Sequence, residues 1–417
     1  MKNLVDHVRN GTWGQDPDDA HSGAVCVRAA DFDRHLNRVD ETKLVRRLLT
    51  PAEVAKHRLR RGDLVLEKSG GGERQPVGAA VLFDSDFTAV PTNFAARIRP
   101  AAHVDPRFLN YVLRATYGLG INQRSIKQTT GLQNLDADSF LAERWVAPDH
   151  EEQRAIADFL DRETARIDLL VVKRKTLLQV LVERDASVVD AVLDVKVEWS
   201  PLGVPMGLLG RQCVRLGGLA KVQSGLALDS NRPRGSSEIT LPYLRVANVQ
   251  DGWLTLEDLK EVTVPRATAE RVLLRKGDVL MTEGGDPDKL GRGTIWTGDV
   301  SPCLHQNHIF AVRPNNQLVP EYLALLTRTS YARAYFEVTA AKTTGIASTS
   351  NAKIKAFRVP LLPVAEQEHL VHETFRALAE SASLKRLVTC QVDKLHEHRE
   401  ALITAAVIGQ IDVPSAA

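Results

Sequence analysis

The chain has 417 residues, with 54 Lys and Arg against 52 Asp and Glu, 43% hydrophobic and 25% charged residues. That length accommodates two to four domains, and the composition is that of a globular protein rather than a disordered or fibrous one. No apolar run reaches the roughly 18 residues of a membrane span, and the N-terminal MKNLVDHVRNGTWGQDPDD has no apolar stretch of signal-peptide type, so a cytoplasmic location is expected.

The four cysteines, Cys26, Cys213, Cys303 and Cys390, are far apart and form no CxxC, which argues against a zinc site and for a reducing compartment. The net charge of +2 conceals a division. Segments 1–148 and 199–363 carry +3 and +6, whereas 149–198 and 364–417 carry −4 and −3. A polyanion would be drawn to the first class and repelled by the second.

In chain order, Val25-Cys-Val-Arg28, Asp63-Leu-Val-Leu-Glu67, Val77-Gly-Ala-Ala-Val-Leu-Phe83 and Phe94-Ala-Ala-Arg-Ile98 read as strands between Gly, Pro and Asp punctuation. Asp105-Pro106 opens a helix, with Asp suited to the N-cap and Pro to the first turn. The polar stretch from Asn122 to Asn134 reads as a loop.

A long helix is expected over Asp149–Leu193, with Asp149 as its cap and Glu152 as capping-box partner. Leu170, Arg174, Leu177, Leu181, Arg184, Val188 and Ala191 step alternately by four and three, the spacing of a coiled-coil stripe. At about 1.5 Å per residue such a helix is about 65 Å long, more a spacer than a core element.

The same grammar returns about 214 residues later. Leu274-Arg-Lys-Gly-Asp278 answers Leu59-Arg-Arg-Gly-Asp63, and Asn307–Pro314 answers Asn93–Pro100. Lys342-Thr-Thr-Gly345 answers Gln128-Thr-Thr-Gly131, and Ala365-Glu-Gln367 answers Glu151-Glu-Gln153. The helix stripe recurs as Leu384, Val388, Gln391, Leu395, His398, Leu402 and Ala405, all at the 214-residue offset. The chain therefore reads as two divergent copies of a domain followed by a long helix. The expected boundaries are a first domain over 1–148, a central helix over 149–198, a second domain over 199–363 and a C-terminal helix and tail over 364–417. Helix pairing is assigned to Leu170, Leu177, Leu181, Val188, Leu384, Val388, Leu395 and Leu402.

Catalytic signatures are missing. There is no GxxxxGK[ST], no Asn-Pro-Pro-aromatic stretch, no GxGxxG after a strand, no HExxH and no GxSxG. Asp286-Pro-Asp-Lys289 reads as a solvated turn, and the histidines do not cluster at metal-ligand spacing, so the His305/His308 pair is not read as a metal site. No catalytic or metal residue is expected.

The polar loops carry more information. Lys68, Ser69, Gly70, Gly71 and Arg74 follow the first Gly-Asp strand; Thr282, Gly284, Gly285, Lys289 and Arg292 follow the second. Glycines let a backbone approach a ligand closely, and the flanking side chains offer hydrogen bonds to phosphates or base edges. A second polar segment in each domain supplies Lys127, Gln128, Thr129, Thr130, Gln133 and Asn134, and Lys342, Thr343, Thr344, Ser348 and Thr349. Gln and Asn amides suit bidentate reading of adenine in the major groove. All of these are candidate DNA-binding residues.

The whole chain resembles the specificity subunit of type I restriction–modification systems. The resemblance is carried by Glu151-Glu-Gln-Arg-Ala-Ile-Ala-Asp-Phe-Leu160, by Ala365-Glu-Gln-Glu-His-Leu370 and by the tail from His398 to Asp412. The first helix departs from that ending, since Arg184–Leu193 contains no Gly. The resemblance implies an α+β architecture of two tandem target-recognition domains, each followed by a long helix, with the helices forming an antiparallel coiled coil in a pseudo-two-fold repeat. It implies that each domain binds one half of a bipartite, asymmetric DNA target. It also implies two methyltransferase partners that bind S-adenosylmethionine, and restriction partners that use ATP and Mg, with no cofactor on this chain. A stand-alone DNA-binding regulator and a coiled-coil scaffold are the alternative readings.

Overall fold

The computed structural model of the chain describes residues 1–413 apart from 18, 20–21, 73–74, 130–131, 229–236, 251, 286–289, 292 and 344–345. It is mixed α/β, with two long helices, His150–Val192 and Val364–Val407. Two compact units emerge: Met1–Lys175 with Thr389–Ala417, and Thr176–Val388. Each unit combines one sheet-bearing segment with a stretch of both long helices.

In the first unit the central strands run antiparallel in the order Val5–Asn10, Ala95–Pro100, Leu64–Glu67, Ala80–Leu82, extended by the short strands Arg38–Val39 and Phe32–Asp33. Leu64, Val65 and Leu66 are buried on both faces, so this strand reads as a continuous apolar run instead of an alternating one. The second unit has the matching order Ala220–Ser224, Ile309–Pro314, Val279–Thr282, Gly293–Ile295.

The turn before the inner strand is built alike in both units. Gly62 and Gly277 sit at φ +89°, which an L side chain rarely adopts. The Asp that follows accepts from the backbone N–H three residues back, Asp63 from Arg60 and Asp278 from Arg275, each at 2.8 Å. The same carboxylates are gripped bidentately at 2.7–2.8 Å, Asp63 by Arg99 and Asp278 by Arg313. The Gly-Asp and Arg-Pro repeats of the sequence are therefore two ends of one buried ion pair.

The helix Pro106–Gly118 begins as expected, with the Asp105 carboxylate accepting from the N–H groups of Arg107 and Phe108. It buries Phe108, Leu109, Val112 and Leu113 against the sheet. Its counterpart Pro320–Thr327 has Val319 at the cap, which offers no side-chain acceptor. In both units a glutamine from a long helix serves that end. Gln153 accepts from Asp105 N–H at 3.0 Å and donates to the Pro148 carbonyl. Gln367 accepts from Val319 N–H at 2.8 Å and donates to the carbonyls of Gln317 and Leu362. Both are 1% exposed. The Glu-Gln motifs thus fasten a sheet domain to its long helix.

Several sequence expectations need correction. The strand expected over Val77–Phe83 is confined to Ala80–Leu82. The stretch 122–134, read as a loop, is a 3₁₀ turn over Ile121–Ser125 and a hairpin of Ile126–Thr129 with Leu132–Leu135. Its polar residues hid it, because a small sheet with one solvated face needs few apolar positions. The first long helix ends without glycine because Asp194 takes the left-handed position at φ +47° and Val195 N–H returns to the Asp190 carbonyl. The second ends at Gly409, φ +73°.

The helix stripe lies partly one residue away from the expected one. In the first helix the buried and half-buried positions include Val171, Arg174, Leu178, Leu181, Asp185 and Val188. In the second they include Lys385, Val388, Val392, Leu395, Arg399 and Leu402, each displaced by 214 residues. Leu181, Val188, Val388, Leu395 and Leu402 fall on this stripe. Leu170 and Leu384, assigned to pairing, are 38% and 40% exposed, and Leu177 is half-buried. The stripe admits charged residues that an apolar reading rejects: Asp185 is 3% exposed and bonded to Lys385, and Arg399 is 3% exposed with its Nε 3.0 Å from Asp168.

Arg184, Gln391 and His398, read as polar members of the stripe, are exposed. Arg184→Glu is accordingly expected to change unfolding free energy by less than about 0.5 kcal/mol. Asp185→Ala, which removes the partly buried Asp185–Lys385 pair, is expected to cost about 2 kcal/mol. Urea titrations of the two variants check this; equal effects would overturn the placement.

Candidate nucleic-acid interface

The two polar segments of each domain, some 60 residues apart in sequence, meet in one small sheet. In the first unit Ser69–Gly70 pairs with Leu132–Leu135, which pairs in turn with Ile126–Thr129. Gly70 lies opposite Gln133 and Ser69 opposite Asn134, whose Oδ1 accepts from the Ser69 hydroxyl at 2.6 Å. In the second unit Gly284–Gly285 pairs with Ile346–Ser348, and that strand with Ala341–Thr343.

The glycines have distinct reasons to be glycine. Gly71 is at φ +60°, and a Cβ there would come within 2.9 Å of the Gln75 carbonyl oxygen and Val77 nitrogen. Gly70 is at φ +117°, and a Cβ there would meet nothing within 4 Å, so its backbone faces open space. A flat backbone edge of this kind can come close to a ligand that a side chain would hold away.

The candidate residues divide by environment. Gln128 and Asn134 are exposed, whereas Gln133 is 8% exposed and accepts from Val77 N–H, bracing the glycine loop from inside. Lys68 donates to the Asn10 side chain at 2.6 Å, and Lys127 is paired with Asp136 at 2.8 Å. Thr129 ends its strand opposite Leu132. Thr282 ends the strand that leads into Gly284, and Ser348 lies opposite Gly284. Thr349 is 3% exposed, its N–H bonded to the Glu283 carbonyl, a position for supporting the edge rather than contacting a ligand. The backbones of Lys342 and Thr343 lie in the third strand of the sheet. Arg74, Thr130, Lys289, Arg292 and Thr344 lie outside the described residues, as does the Asp286–Lys289 turn.

Three features were missed by sequence reasoning. Glu67, 4% exposed at the foot of the first glycine strand, binds Arg34 at 2.6 Å; burial pushes its carboxyl up and Arg34 opposes that shift. Glu283 beside the second glycine strand binds His308 at 2.6 Å. His305, which the sequence reading gave no role, is fully buried, held to the Val272 carbonyl, and its pKa is lowered by burial. These contacts join residues far apart in sequence, so no local spacing could signal them.

Among the described residues no group of three or more His, Cys, Asp or Glu is arranged to hold a metal ion, and no helix is long and apolar enough to cross a membrane. All four cysteines are free thiols, and burial pushes those of Cys26 and Cys303 up to about 11.

In sequence and fold the chain is similar to specificity subunits of type I restriction enzymes. It is 20% identical over 353 residues to the type I restriction enzyme StySPI specificity subunit of Salmonella potsdam, covering 84% of this chain and 74% of that one. It is 22% identical over 357 residues to the EcoKI specificity subunit of Escherichia coli K12, covering 84% and 75%. In fold it is similar to a solved chain from work on complex assembly and conformational transition of the type I R-M system. That likeness has a TM-score of 0.61 at 18% identity, over 98% of this chain and 97% of the other. No family profile matches the chain.

Proposed function

We propose that this chain is the DNA-specificity subunit of a type I restriction–modification complex. In this reading it binds a bipartite, asymmetric duplex target and carries no catalytic residues of its own. Two adenine methyltransferase subunits, which hold S-adenosylmethionine, would dock on it, and restriction subunits would join them.

One observation carries the reading. A glycine-edged recognition sheet, its Asp–Arg lock and its buried glutamine tether to a long helix all occur twice, 214 or 215 residues apart. Two similar edges with different side chains suit two unlike half-sites on one DNA. The two long helices form the antiparallel coiled coil of this reading. In the first unit, ascending positions Ile156, Leu160 and Ile167 cluster with descending positions Val407, Ile403 and Val392. This reading keeps the domain boundaries expected from the sequence, at about residues 148, 198 and 363.

The test is co-expression with an adenine methyltransferase, followed by single-molecule sequencing of methylated genomic DNA. Methylation is expected at a split, asymmetric motif and only when this chain is present. A motif independent of the chain would overturn the proposal. Specific binding by the chain alone, with methylation unaffected, would favour a stand-alone regulator instead.

A further inference from the structure

Beside the first glycine edge lies a second, differently built surface. The helix Pro51–His57 ends against the edge strand Val5–Asn10. There His57 Nδ1 is 2.8 Å from the Asn10 carbonyl oxygen, and Arg9 donates to the Lys56 carbonyl at 2.9 Å. The Asn10 side chain in turn accepts from Lys68. Asn10 therefore joins the end of this helix to the foot of the glycine strand, and the two surfaces are continuous.

The chain leaving that helix is Lys56-His-Arg-Leu-Arg60, and Lys56, Arg58 and Arg60 are all exposed. Each is held at its backbone. The Lys56 carbonyl accepts from Arg9, the Arg58 carbonyl from Arg97, and the Arg60 N–H donates to Asp63. Their positions are thus fixed while their charged ends reach solvent.

The bland account is a solvated charged face, and the surroundings argue against it. Several neighbouring cations of this unit have acidic partners: Arg61 with Asp84, Arg99 with Asp63, Lys127 with Asp136. Among the described residues no carboxylate lies within ion-pairing distance of Lys56, Arg58 or Arg60. Just beneath them, Arg97 is 4% exposed; burial first of all lowers its pKa, and neighbouring Arg99, Arg9 and Arg60 add to that while Asp63 opposes it.

The second unit repeats the device at an offset of 215, with Arg271 and Arg275 in the places of Lys56 and Arg60, both exposed, and Arg275 N–H tied to Asp278. Leu273 stands in the place of Arg58, so the second unit keeps two of the three cations. A backbone-anchored row of exposed cations beside the first glycine edge, with no carboxylate in reach among the described residues, fits the regularly spaced phosphates of a duplex.

We propose that Lys56, Arg58 and Arg60 form a ridge that grips the DNA phosphate backbone and sets the register in which the adjoining glycine edge meets the bases. The inference rests on the DNA-binding reading above and assigns it residues that no sequence motif marked. Phosphate contacts orient the protein on the duplex without carrying sequence information, so the ridge and the glycine edge have separable effects.

The experiment measures affinity of the full chain for a random-sequence duplex as a function of salt, for the natural protein and for Lys56→Ala/Arg58→Ala/Arg60→Ala. Each lost phosphate contact lowers the slope of log K against log salt by about 0.9, so the triple variant loses about 3. Between 50 and 200 mM salt the natural protein is then expected to lose about 40-fold more affinity than the variant. Arg61→Ala, which removes a cation already paired with Asp84, serves as control and is expected to leave the slope nearly unchanged. Lys56→Arg/Arg58→Lys/Arg60→Lys keeps the charges and is expected to keep the slope, separating charge loss from misfolding.

If the triple variant keeps the natural slope, the ridge is overturned while DNA binding stands. If the natural chain itself shows no salt-dependent affinity, the DNA-binding reading falls and the ridge with it. In a methylating complex the triple variant is expected to modify fewer sites at an unchanged motif; a relaxed motif would mean the ridge reads bases and would also overturn the assignment.

Discussion

Asp278→Ala is expected to destabilise the second unit by about 3 kcal/mol, visible as a lowered urea midpoint for the full chain. The carboxylate is fully buried and accepts three hydrogen bonds, two from the Arg313 guanidinium and one from the Arg275 N–H across the turn it closes. Removing one partner of a buried pair leaves the other charge without compensation, which typically costs about 3–5 kcal/mol. The Arg313 side chain is 24% exposed, so water recovers part of this, and the lower end of that range applies. Asp278→Asn keeps the acceptor for Arg275 N–H and is expected to cost less. Asp63→Ala in the first unit should behave alike, since Asp63 makes the same contacts with Arg99 and Arg60. A change below about 1 kcal/mol for Asp278→Ala would show that the turn is held by its glycine and backbone bonds alone.

That pair also marks how much of the molecule the sequence made legible. Gly-Asp and Arg-Pro were visible as repeats, because a turn at φ +89° demands glycine and the buried charge demands a fixed partner. Their pairing with each other was not, since 36 and 35 residues separate the partners. The long helices were legible in existence, length and offset. Their stripe was misplaced by one residue where Leu170 stands beside Val171 and Leu384 beside Lys385, because the true positions admit Asp185, Lys385 and Arg399, whose charges are satisfied only by tertiary contacts.

The candidate interface divides in the same way. The glycine loops announced themselves by composition. The hairpin that pairs with them was read as a loop, since its second strand turns Gln133 and Leu135 inward and Leu132 and Asn134 outward, a pattern that does not separate polar from apolar residues. Lys127, a candidate DNA-binding residue, is paired with Asp136, whereas Lys56, Arg58 and Arg60, which no motif singled out, have no carboxylate in reach among the described residues. Which cation is paired is a property of the folded surface and cannot be counted from spacing.

Inserting seven residues after Leu178 and seven after Val392, equivalent positions on the two stripes, is expected to lengthen the gap in the methylated motif by about three base pairs. The inserted heptad adds about 10 Å of helix at about 1.5 Å per residue, and duplex DNA rises about 3.4 Å per base pair. A seven-residue insertion keeps the alternating four-and-three stripe in phase, so the pairing of Asp185 with Lys385 and of Asp168 with Arg399 survives. Four residues in each helix add about 6 Å, or about two base pairs, but turn the stripe by about 40° and locally unwind the pairing. That variant should therefore shift the gap less and methylate more weakly. In both, the two half-sites themselves should stay as they are, because neither glycine edge nor basic ridge is touched. An unchanged gap in the seven-residue variant would show that the helices serve assembly alone and do not measure the target.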